Sequence, residues 1–572
     1  MIFSCDIETD GFDATKVWCI VAQDVKTKEV VKFTPDNLNQ FNDWVAGVDT
    51  LVFHNGISFD VPVLKRLLNT DFSSTKIEDT MIMSQLVSPR KEGGHSLKAW
   101  GERFNFPKGD HEDWSCFSQE MLDYCVRDVE ITTAIYNQLS STVEPYRDAL
   151  LLEYATKEHC VEQEKNGWYF DLRKATEVLY DVNQEMEKVE AEVLATFEPL
   201  TTWIPKTPVK NRFRKDGRRT AAYQKEVDLG CYTNDDDVYG YWTRVPFNLN
   251  SRQHIGRHLI NAGWKPTVFT ETGKPKVDEK ILEGVDIPEA KLISRFLMLQ
   301  KRRSQLDSWI EEYNRQTNSI HSRVHTMGTV TSRMSSSNPN LQQVTSSNKE
   351  FGSEMRSLFT VPEGKVLVGA DLSGLELRCL AHYMNDEEYT NEILHGDIHT
   401  ANQLAAGLQS RNQAKTFIYA FLYGAGDEKV GSIVGGTKAD GRKLKADFLA
   451  NTPALKTLRT RVERASQRGY IKGLDGRHVP VRSEHSALNF LLQSAGAIIA
   501  KRAWVIFHKN CTLPYKQLGV IHDELQVECN PEDADAIGTQ IVQAMRDTTQ
   551  YYNLRCPIDG EYSIGRNWNE TH

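Results

Sequence analysis

The sequence lacks the cysteine spacing of zinc sites and of disulfide frameworks. Its ten cysteines are scattered, and none belongs to a CxxC pair or a Cys/His cluster. Free thiols are therefore expected, as in a cytoplasmic protein. The first ten residues, MIFSCDIETD, lack the basic start and apolar core of a secretory signal. No run of about 18 apolar residues occurs, so no membrane-spanning segment is expected.

An excess of basic residues is also missing, although such an excess is typical of nucleic-acid-binding proteins. The chain has 68 basic and 78 acidic residues and a net charge of −10. The charge is unevenly distributed: residues 1–140 hold 13 basic and 22 acidic side chains, whereas residues 206–225 hold eight and one. Residues 456–482 are also basic, with eight against two. Each basic run is either a solvated surface or a contact for nucleic acid or a partner, so the negative sum alone excludes neither.

The 572 residues exceed the usual size of one core, so several domains are expected. The first 140 residues alternate short apolar runs with helical patterns, which indicates an α/β domain. We predict strands at 1–6, 17–22 and 51–54 and a helix at 121–139. Further helices are predicted at about 172–197 and 288–310, whereas 198–247 shows little periodicity and is predicted to be an irregular segment.

Carboxylates mark the N-terminal domain. Asp6 and Glu8 are two apart on a predicted strand, so both side chains face one side of the sheet. This arrangement suits Mg²⁺ or Mn²⁺, which prefer oxygen ligands, although the same pair alone is common at surface turns. Asp60 follows the third predicted strand, and Tyr124 and Asp128 share one helical face because they are four residues apart.

A second pair of acids lies in the C-terminal half. Asp371 ends the apolar run 365–371, and the Leu372 carbonyl follows it as a further oxygen ligand. Asp523 lies at a predicted turn inside the apolar run 518–528. An acid at a turn is ordinarily just solvated. Two strands that each supply an acid, however, suit two-metal phosphoryl transfer.

A predicted helix over 411–423 carries two cations followed by two rings. Arg411, Lys415, Tyr419 and Tyr423 recur every four residues, and Gly424 fits the helix end. One interpretation is an amphipathic helix whose long basic side chains reach solvent. The other is a nucleotide site, in which cations bind phosphates and a ring contacts the sugar and base.

These motifs resemble two known families. The four N-terminal acids with Tyr124 resemble the DEDD-type 3′–5′ proofreading exonucleases. The three C-terminal segments resemble motifs A, B and C of family A DNA polymerases. Their sequences are most similar to those of the replicative enzymes of T-odd bacteriophages. The resemblance covers nearly the whole chain, and it implies an α/β multidomain fold with a ribonuclease H-like exonuclease followed by a right-hand polymerase. The implied domains are an exonuclease at 1–142 and a polymerase at 143–572, with thumb at about 160–315, palm at about 320–390 and 475–572, and fingers at about 391–474.

The resemblance also implies roles for individual residues. The exonuclease metal ligands would be Asp6, Glu8, Asp60 and Asp128, with Tyr124 orienting the attacking water. Asp371, Leu372 and Asp523 would hold two Mg²⁺ ions, for which Mn²⁺ substitutes, and Lys415 would protonate the leaving group. The residues implied for nucleotide binding are Arg411, Lys415, Tyr419, Tyr423, His399 and Glu376, the last selecting deoxynucleotides; those implied for DNA contact are Arg333, Asn489, Gln493 and His522.

The implied partners are primer–template DNA, dNTPs, a phage helicase–primase and a single-stranded DNA-binding protein, all in the cytoplasm of a host cell. In the family's closest members a long thumb insertion binds host thioredoxin. The matching segment here, about 198–247, is shorter and differs in sequence, so thioredoxin binding is not expected.

Three alternatives share some of these motifs. One is an RNase D-like nuclease whose C-terminal half only binds nucleic acid, but such a half needs no Asp371, Lys415 or Asp523. Another is a single-subunit RNA polymerase, which Glu376 and the nuclease acids disfavour. The last is a non-catalytic DNA-binding scaffold, which has no use for two intact sets of acids.

Overall fold

The structure, a computed structural model, describes residues 1–197 and 199–572, and it divides into two compact units. One unit combines Met1–Asp171 with Glu312–His572, and the other is Leu172–Glu311. The elements of the first segment are β1 (Ile2–Thr9), β2 (Val17–Asp24), β3 (Val30–Phe33), α1 (Phe41–Val45), β4 (Thr50–Phe53), α2 (Asp60–Leu68), β5 (Lys76–Asp79), α3 (Thr80–Val87), α4 (Leu97–Arg103), α5 (Gln119–Val143), α6 (Arg147–Asn166) and β6 (Trp168–Tyr169).

The first segment is built on a five-stranded sheet in the order β3-β2-β1-β4-β5. β1 pairs antiparallel with β2 and parallel with β4, so it is the central strand. The three strands and the helix predicted here are confirmed as β1, β2, β4 and α5. Side chains of β2 and α5 share a buried apolar cluster that includes Val21, Met121 and Val129, and this packing fixes α5 on the sheet.

The second unit contains two long helices and a small sheet. Its elements are α7 (Leu172–Thr196), β7 (Leu200–Pro205), α8 (Ala221–Asp228), β8 (Tyr232–Thr233), β9 (Tyr239–Val245), α9 (Arg252–Asn261), α10 (Glu279–Glu283) and α11 (Pro288–Glu311). The predicted helices at about 172–197 and 288–310 are confirmed as α7 and α11.

The prediction of an irregular segment at 198–247 is wrong. β7, β9 and β8 form a three-stranded antiparallel sheet, and α8 lies within the same segment. Most of its strand residues are exposed or half-buried, so no apolar alternation signals them in the sequence. Aromatic contacts take the place of a buried face: the Trp203 ring lies 5.5 Å from that of Trp242 and 5.0 Å from that of Tyr232.

The last segment completes the first unit with a four-stranded antiparallel sheet in the order β17-β18-β14-β19. Its strands are β10 (Tyr313–Asn314), β11 (Ser319–Ile320), β12 (Arg323–His325), β13 (Ser335–Ser337), β14 (Val366–Leu372), β15 (Tyr470–Lys472), β16 (His478–Pro480), β17 (Tyr515–Ile521), β18 (Glu524–Cys529) and β19 (Gly560–Gly565). Its helices are α12 (Gly352–Arg356), α13 (Leu375–Met384), α14 (Glu387–His395), α15 (Ile398–Ala406), α16 (Arg411–Leu422), α17 (Asp427–Ile433), α18 (Lys438–Asn451), α19 (Pro453–Ser466), α20 (Ala487–Asn510) and α21 (Ala534–Tyr551).

One helical stretch bears on the expectation that the chain has no membrane-spanning segment. Within the described residues, Glu484–Asn510 is long and apolar enough to cross a bilayer. However, 78% of its most apolar window is buried inside the protein, where Ile499, Ala503 and Phe507 belong to the main hydrophobic core. The stretch, which includes α20, therefore has the burial of a core helix.

Candidate active sites

The first site is built on the central strand of the N-terminal sheet. Asp6 and Glu8 alternate with buried Cys5 and Ile7 along β1, so both acids face α5. Glu8 is 6% exposed, and its Oε1 atom is buried with no hydrogen-bond partner. An unpaired buried carboxylate oxygen costs free energy unless a cation or donor reaches it.

Asp60 reaches this site from the turn between β4 and α2. Asn55 has a left-handed backbone (φ 68°), and a Cβ added to Gly56 would lie 2.2 Å from the Phe53 Cβ, so the turn requires glycine there. The buried Asp79 carboxylate accepts from the Asn55 and Ile57 N–H groups at 3.0 and 3.3 Å. This turn places Asp60 at the first position of α2, where it is 5% exposed.

Helix α5 supplies Tyr124 and Asp128 on one face. The Ser118 side chain accepts from the Met121 N–H and caps the helix start. Asp128 is 2% exposed, and its Oδ1 atom is buried without a partner. The ligand atoms of Asp6, Glu8 and the adjacent Cys125 all lie within 4.8 Å of one another, which is close enough for one metal ion.

The four acids perturb one another. Burial, then Glu8 and Asp60, raises the pKa of Asp6 well above its ordinary value. Burial, then Asp128, raises the pKa of Glu8 to about 9. Burial raises the pKa of Asp60 to about 7 and also raises that of Asp128. Crowded acids of this kind favour a bound cation, so these residues fit a divalent metal site.

One residue among these acids, Lys108, was not indicated by the sequence. Its Nζ donates to Asp128 Oδ2 at 2.5 Å and lies 4.8 Å from the centre of the Tyr124 ring. Burial lowers the pKa of Lys108, but Asp128, together with Tyr124 and Asp6, raises it above the ordinary value. Lys108 belongs to the segment between α4 and α5, and no sequence spacing links it to the acids.

The second site lies at one end of the C-terminal sheet. Asp371 on β14 pairs with Glu524 on β18, which places Asp523 at the adjoining turn. The Leu372 N–H donates to the Asp523 carbonyl oxygen at 3.3 Å, which fixes the two backbones together. Burial, then Asp523, raises the pKa of Asp371 to about 7, and burial raises the pKa of Asp523. The two carboxylates therefore also fit a divalent cation.

Glu524 lies beside this pair, since it is the cross-strand partner of Asp371 and its charge also raises the pKa of Asp371. It is 3% exposed and accepts from Trp568 Nε1 at 2.7 Å and from His572 Nδ1 at 2.9 Å. The C-terminal residues thus fix the strand that carries Glu524, and through it the turn that presents Asp523.

Helix α16 carries the predicted stripe on its solvent side. Ala414, Phe417, Ile418, Phe421 and Leu422 are buried on the other face. Arg411, Lys415 and Tyr423 are exposed and Tyr419 is half-buried, so the four-residue spacing does place them along one side. The helix ends at Leu422, and Gly424 follows with φ 71°.

Arg411 has a partner that the sequence did not indicate. Its Nε donates to Asp397 Oδ2 at 2.6 Å, and the His399 N–H donates to Asp397 Oδ1 at 3.1 Å. Asp397 therefore brings Arg411 and His399 together at the start of α15. The His399 ring centre lies 6.3 Å from that of Tyr419.

Glu376 joins several of the remaining predicted residues. The Arg333 guanidinium donates to Glu376 Oε1 at 2.9 Å, and the Tyr423 hydroxyl donates to the same oxygen. Burial, then Glu376, raises the pKa of Tyr423. A small cavity beside this group is lined by Arg333, Glu376, Lys501, His522 and Asp523, among others.

Of the other predicted DNA contacts, His522 lines this cavity, and the remaining two lie on α20, which also lines it. Asn489 and Gln493 are one turn apart on α20, and Gln493 Oε1 accepts from the Thr331 hydroxyl at 3.4 Å. His522 has a left-handed backbone (φ 57°), and its N–H donates to Gln342 Oε1 at 3.1 Å.

Comparisons with known proteins match both halves of the chain. A family model described as 3′–5′ exonuclease matches residues 2–144, and one described as DNA polymerase family A matches residues 219–570. The DNA-directed DNA polymerases of Enterobacteria phage T3 and Escherichia phage T7 are each 34% identical over 707 aligned positions, which cover 99% of this chain and 99% of the relative. These alignments exceed the 572 residues of the chain, so both relatives contain segments absent here.

A solved structure supports the fold independently. The POL domain of Pol1 from M. smegmatis, solved in complex with DNA primer–template and dNTP, superposes with a TM-score of 0.78. It is 17% identical, and the match covers 100% of this chain and 96% of that chain.

Proposed function

The chain belongs to DNA polymerase family A and carries a 3′–5′ exonuclease domain, and from this premise we propose which residues perform its two reactions. It is a DNA-directed DNA polymerase with proofreading, of the kind found in phages T3 and T7. The family match favours this function over the RNase D-like alternative. Both kinds of domain use divalent metal ions.

At the polymerase site we assign Asp371, Asp523 and the Leu372 carbonyl as the ligands of two Mg²⁺ ions, for which Mn²⁺ substitutes. When bound, such cations activate the attacking hydroxyl and stabilise charge on the reacting phosphate and the leaving group. The Arg411 guanidinium and the His399 ring bind the triphosphate, and Lys415 Nζ donates a proton to the departing pyrophosphate. The observation that carries this assignment is the β14–β18 register, which sets Asp371 beside the Asp523 turn.

The residues around Glu376 determine which substrate is accepted. Glu376 closes the space beside the sugar 2′ position, so that deoxynucleotides are selected. Tyr419 and Tyr423 contact the sugar and the base, and Tyr423 leaves Glu376 when the nucleotide arrives. The side chains of Arg333, Asn489, Gln493 and His522 contact the minor groove and the primer end. Acceptors there are common to all base pairs, so these contacts sense pair shape rather than sequence.

At the exonuclease site we assign Asp6, Glu8, Asp60 and Asp128 as the metal ligands. Two Mg²⁺ ions, or Mn²⁺ in their place, are proposed here too. The Tyr124 hydroxyl orients the attacking water. The orphaned oxygens of Glu8 and Asp128 and the raised pKa values of the acids support this assignment.

For the partners, we propose that the chain binds primer–template DNA and dNTPs, the two ligands present in the solved complex of the M. smegmatis protein. A phage helicase–primase and a single-stranded DNA-binding protein complete the proposed set, and the host-cell cytoplasm is the proposed location. We further propose an exonuclease at 1–142, a thumb at about 160–315, a palm at about 320–390 and 475–572, and fingers at about 391–474.

Template-directed dNTP incorporation by Asp523→Ala tests the polymerase assignment. Extension should fall to background, because one of the two metal carboxylates is lost, whereas excision of single-stranded DNA should be unchanged. Glu532→Ala, which removes an exposed acid just beyond the same hairpin, is the matched control and should extend like the unmodified chain. Undiminished extension by Asp523→Ala would refute the assignment.

A further inference from the structure

Two consecutive residues of α6 face the two halves of the first unit. Glu153 and Tyr154 are 0% and 6% exposed, and consecutive residues of a helix point about 100° apart. Helix α6 follows directly after the exonuclease domain in the chain. It contacts α3 on one side and α20 and β17 on another.

Tyr154 faces the exonuclease side and contacts Asp79. The Asp79 backbone N–H donates to the Tyr154 hydroxyl at 3.0 Å. The hydroxyl in turn lies 3.4 Å from Glu78 Oε2 and 3.4 Å from the Asp79 carbonyl oxygen, both of which can accept its proton. All of these groups are buried, so loss of the hydroxyl would leave the Asp79 N–H unpaired away from water.

Asp79 transmits this contact to the exonuclease acids. Its carboxylate accepts from the N–H groups of Asn55 and Ile57, which form the turn before Asp60, and from that of Met81 at 2.9 Å. One carboxylate therefore holds the start of α3 and the turn that presents Asp60. A rotation of Asp79 would break the two hydrogen bonds to the turn or move the turn with it.

Glu153 faces the polymerase side. Its carboxylate accepts from Arg477 at 2.6 Å and from Lys501 Nζ at 2.7 and 2.9 Å, and both cations are at most 1% exposed. Lys501 lies on α20 and lines the small cavity that also contains Asp523. Separating these buried groups would leave uncompensated charges, which costs much free energy. The contact therefore holds α6 firmly to α20.

We propose that Tyr154 is a positioning residue for the exonuclease. It holds Asp79, and through Asp79 the turn that presents Asp60, while Glu153 fixes the same helical turn to the wall of the polymerase cavity. The Glu153–Tyr154 turn of α6 is then the rigid support that the two active sites share. This inference rests on the proposed assignment of Asp60.

Tyr154→Phe tests the proposal because it removes one oxygen atom and keeps the ring. We expect kcat for excision of a single-stranded oligonucleotide to fall about tenfold, because the loss of one buried hydrogen bond loosens Asp79 and, through it, the turn that presents Asp60. KM should not change, because Asp60 acts on the reacting phosphate rather than on the bulk of the strand. Primer extension should also be unchanged, and the Asn55 and Ile57 amides should exchange with solvent faster.

Tyr146→Phe is the matched control, since its hydroxyl lies 3.2 Å from the His478 ring nitrogens and does not contact Asp79. It should excise with the kcat of the unmodified chain. An unchanged excision kcat in Tyr154→Phe, or an equal fall in extension and excision, would overturn the proposal. Asp60→Ala distinguishes a wrong site assignment from a wrong role for Tyr154. Residual excision by Asp60→Ala refutes the site assignment, whereas loss of excision in Asp60→Ala with full activity in Tyr154→Phe refutes only the role of Tyr154.

Discussion

At the scale of single residues, the acids and the residues that hold them differ in how visible they are in the sequence. Asp6 with Glu8, and Tyr124 with Asp128, could be predicted because strand and helix periods put each pair on one face. Lys108, Asp79 and Asp397 could not, because each reaches its partner through a loop or a chain reversal. Their contacts depend on tertiary structure, which local spacing does not encode.

Lys108 leads to a prediction for the exonuclease. In the described part of the chain, Lys108 is the only basic residue that forms a salt bridge with one of the four exonuclease acids, and Lys108→Ala removes it. Uncompensated repulsion among the acids should then displace the side chains of Asp128 and Tyr124 from their positions in the site. We expect excision to fall by at least about tenfold and extension to stay constant. Lys98→Ala, an exposed lysine on α4, is the control; equal excision by the two variants would show that Lys108 has no such role.

Tyr419 leads to a prediction for the polymerase. In the family that the sequence resembles, this position is Phe or Tyr, and the tyrosine hydroxyl can substitute for a missing sugar 3′-hydroxyl. The chain should therefore incorporate dideoxynucleotides readily, and Tyr419→Phe should discriminate against them by about tenfold or more. The measurement is the ratio of dideoxynucleotide to deoxynucleotide incorporation. The same ratio in both proteins would contradict this role.

At the scale of elements, helices and strands that bury apolar side chains could be predicted from the sequence, whereas strands that bury few of them could not. Helix α16 buries one apolar face, so its position and its exposed stripe follow from the sequence. The hairpin of β17 and β18 is likewise buried over 517–521 and over 524–529, on either side of its turn. Strands β7 and β9 contain mostly half-buried or exposed residues and are held by ring contacts, so no periodicity revealed their sheet.

The β7–β9 segment leads to a prediction about processivity. The family resemblance predicts that residues 198–247 replace a longer insertion that binds thioredoxin, and β7, β8 and β9 within this segment form a small sheet of their own. We expect primer-extension products of equal length with and without thioredoxin at micromolar concentration. Products that lengthen upon addition of thioredoxin would show that the shorter segment still binds it.

At the scale of the whole molecule, most of the excess negative charge lies in the domain that contains the proposed nuclease site. Residues 1–140 hold 22 acidic and 13 basic side chains, and four of those acids belong to the proposed metal site. The net charge was therefore a misleading first indication against nucleic acid. The domain order could be predicted from motifs alone, whereas the shared attachment of both sites to α6 became visible only in the structure.

The raised pKa values make stability depend on pH when metal is absent. Burial raises the pKa of Asp60 and that of Asp371 to about 7, above their values in the unfolded chain. Between about pH 4 and pH 7 these two carboxyl groups therefore hold more protons in the folded than in the unfolded state, and their contribution to stability falls as pH rises. Burial lowers the pKa of His54 and of His508 to about 3, which acts in the opposite direction, so the variant with Asp60→Asn and Asp371→Asn is the reference. With a chelator present, the midpoint of thermal unfolding of the unmodified chain should fall relative to that of the variant between pH 5 and pH 8, and Mg²⁺ should raise it at pH 8. A relative midpoint that is constant or rises from pH 5 to pH 8 would contradict the pKa shifts.

The central claim is that one chain contains two separate metal-dependent sites. The most direct test follows a primer with a mismatched 3′ end, in the presence of all four dNTPs, for the chain with Asp6→Ala and Glu8→Ala together. We predict that this variant no longer removes the mismatched nucleotide but extends a correctly paired primer at the rate of the unmodified chain. Asp123→Ala, an exposed acid on α5, should remove the mismatch normally. Continued mismatch removal by the double variant, or an equal loss of extension, would contradict the account.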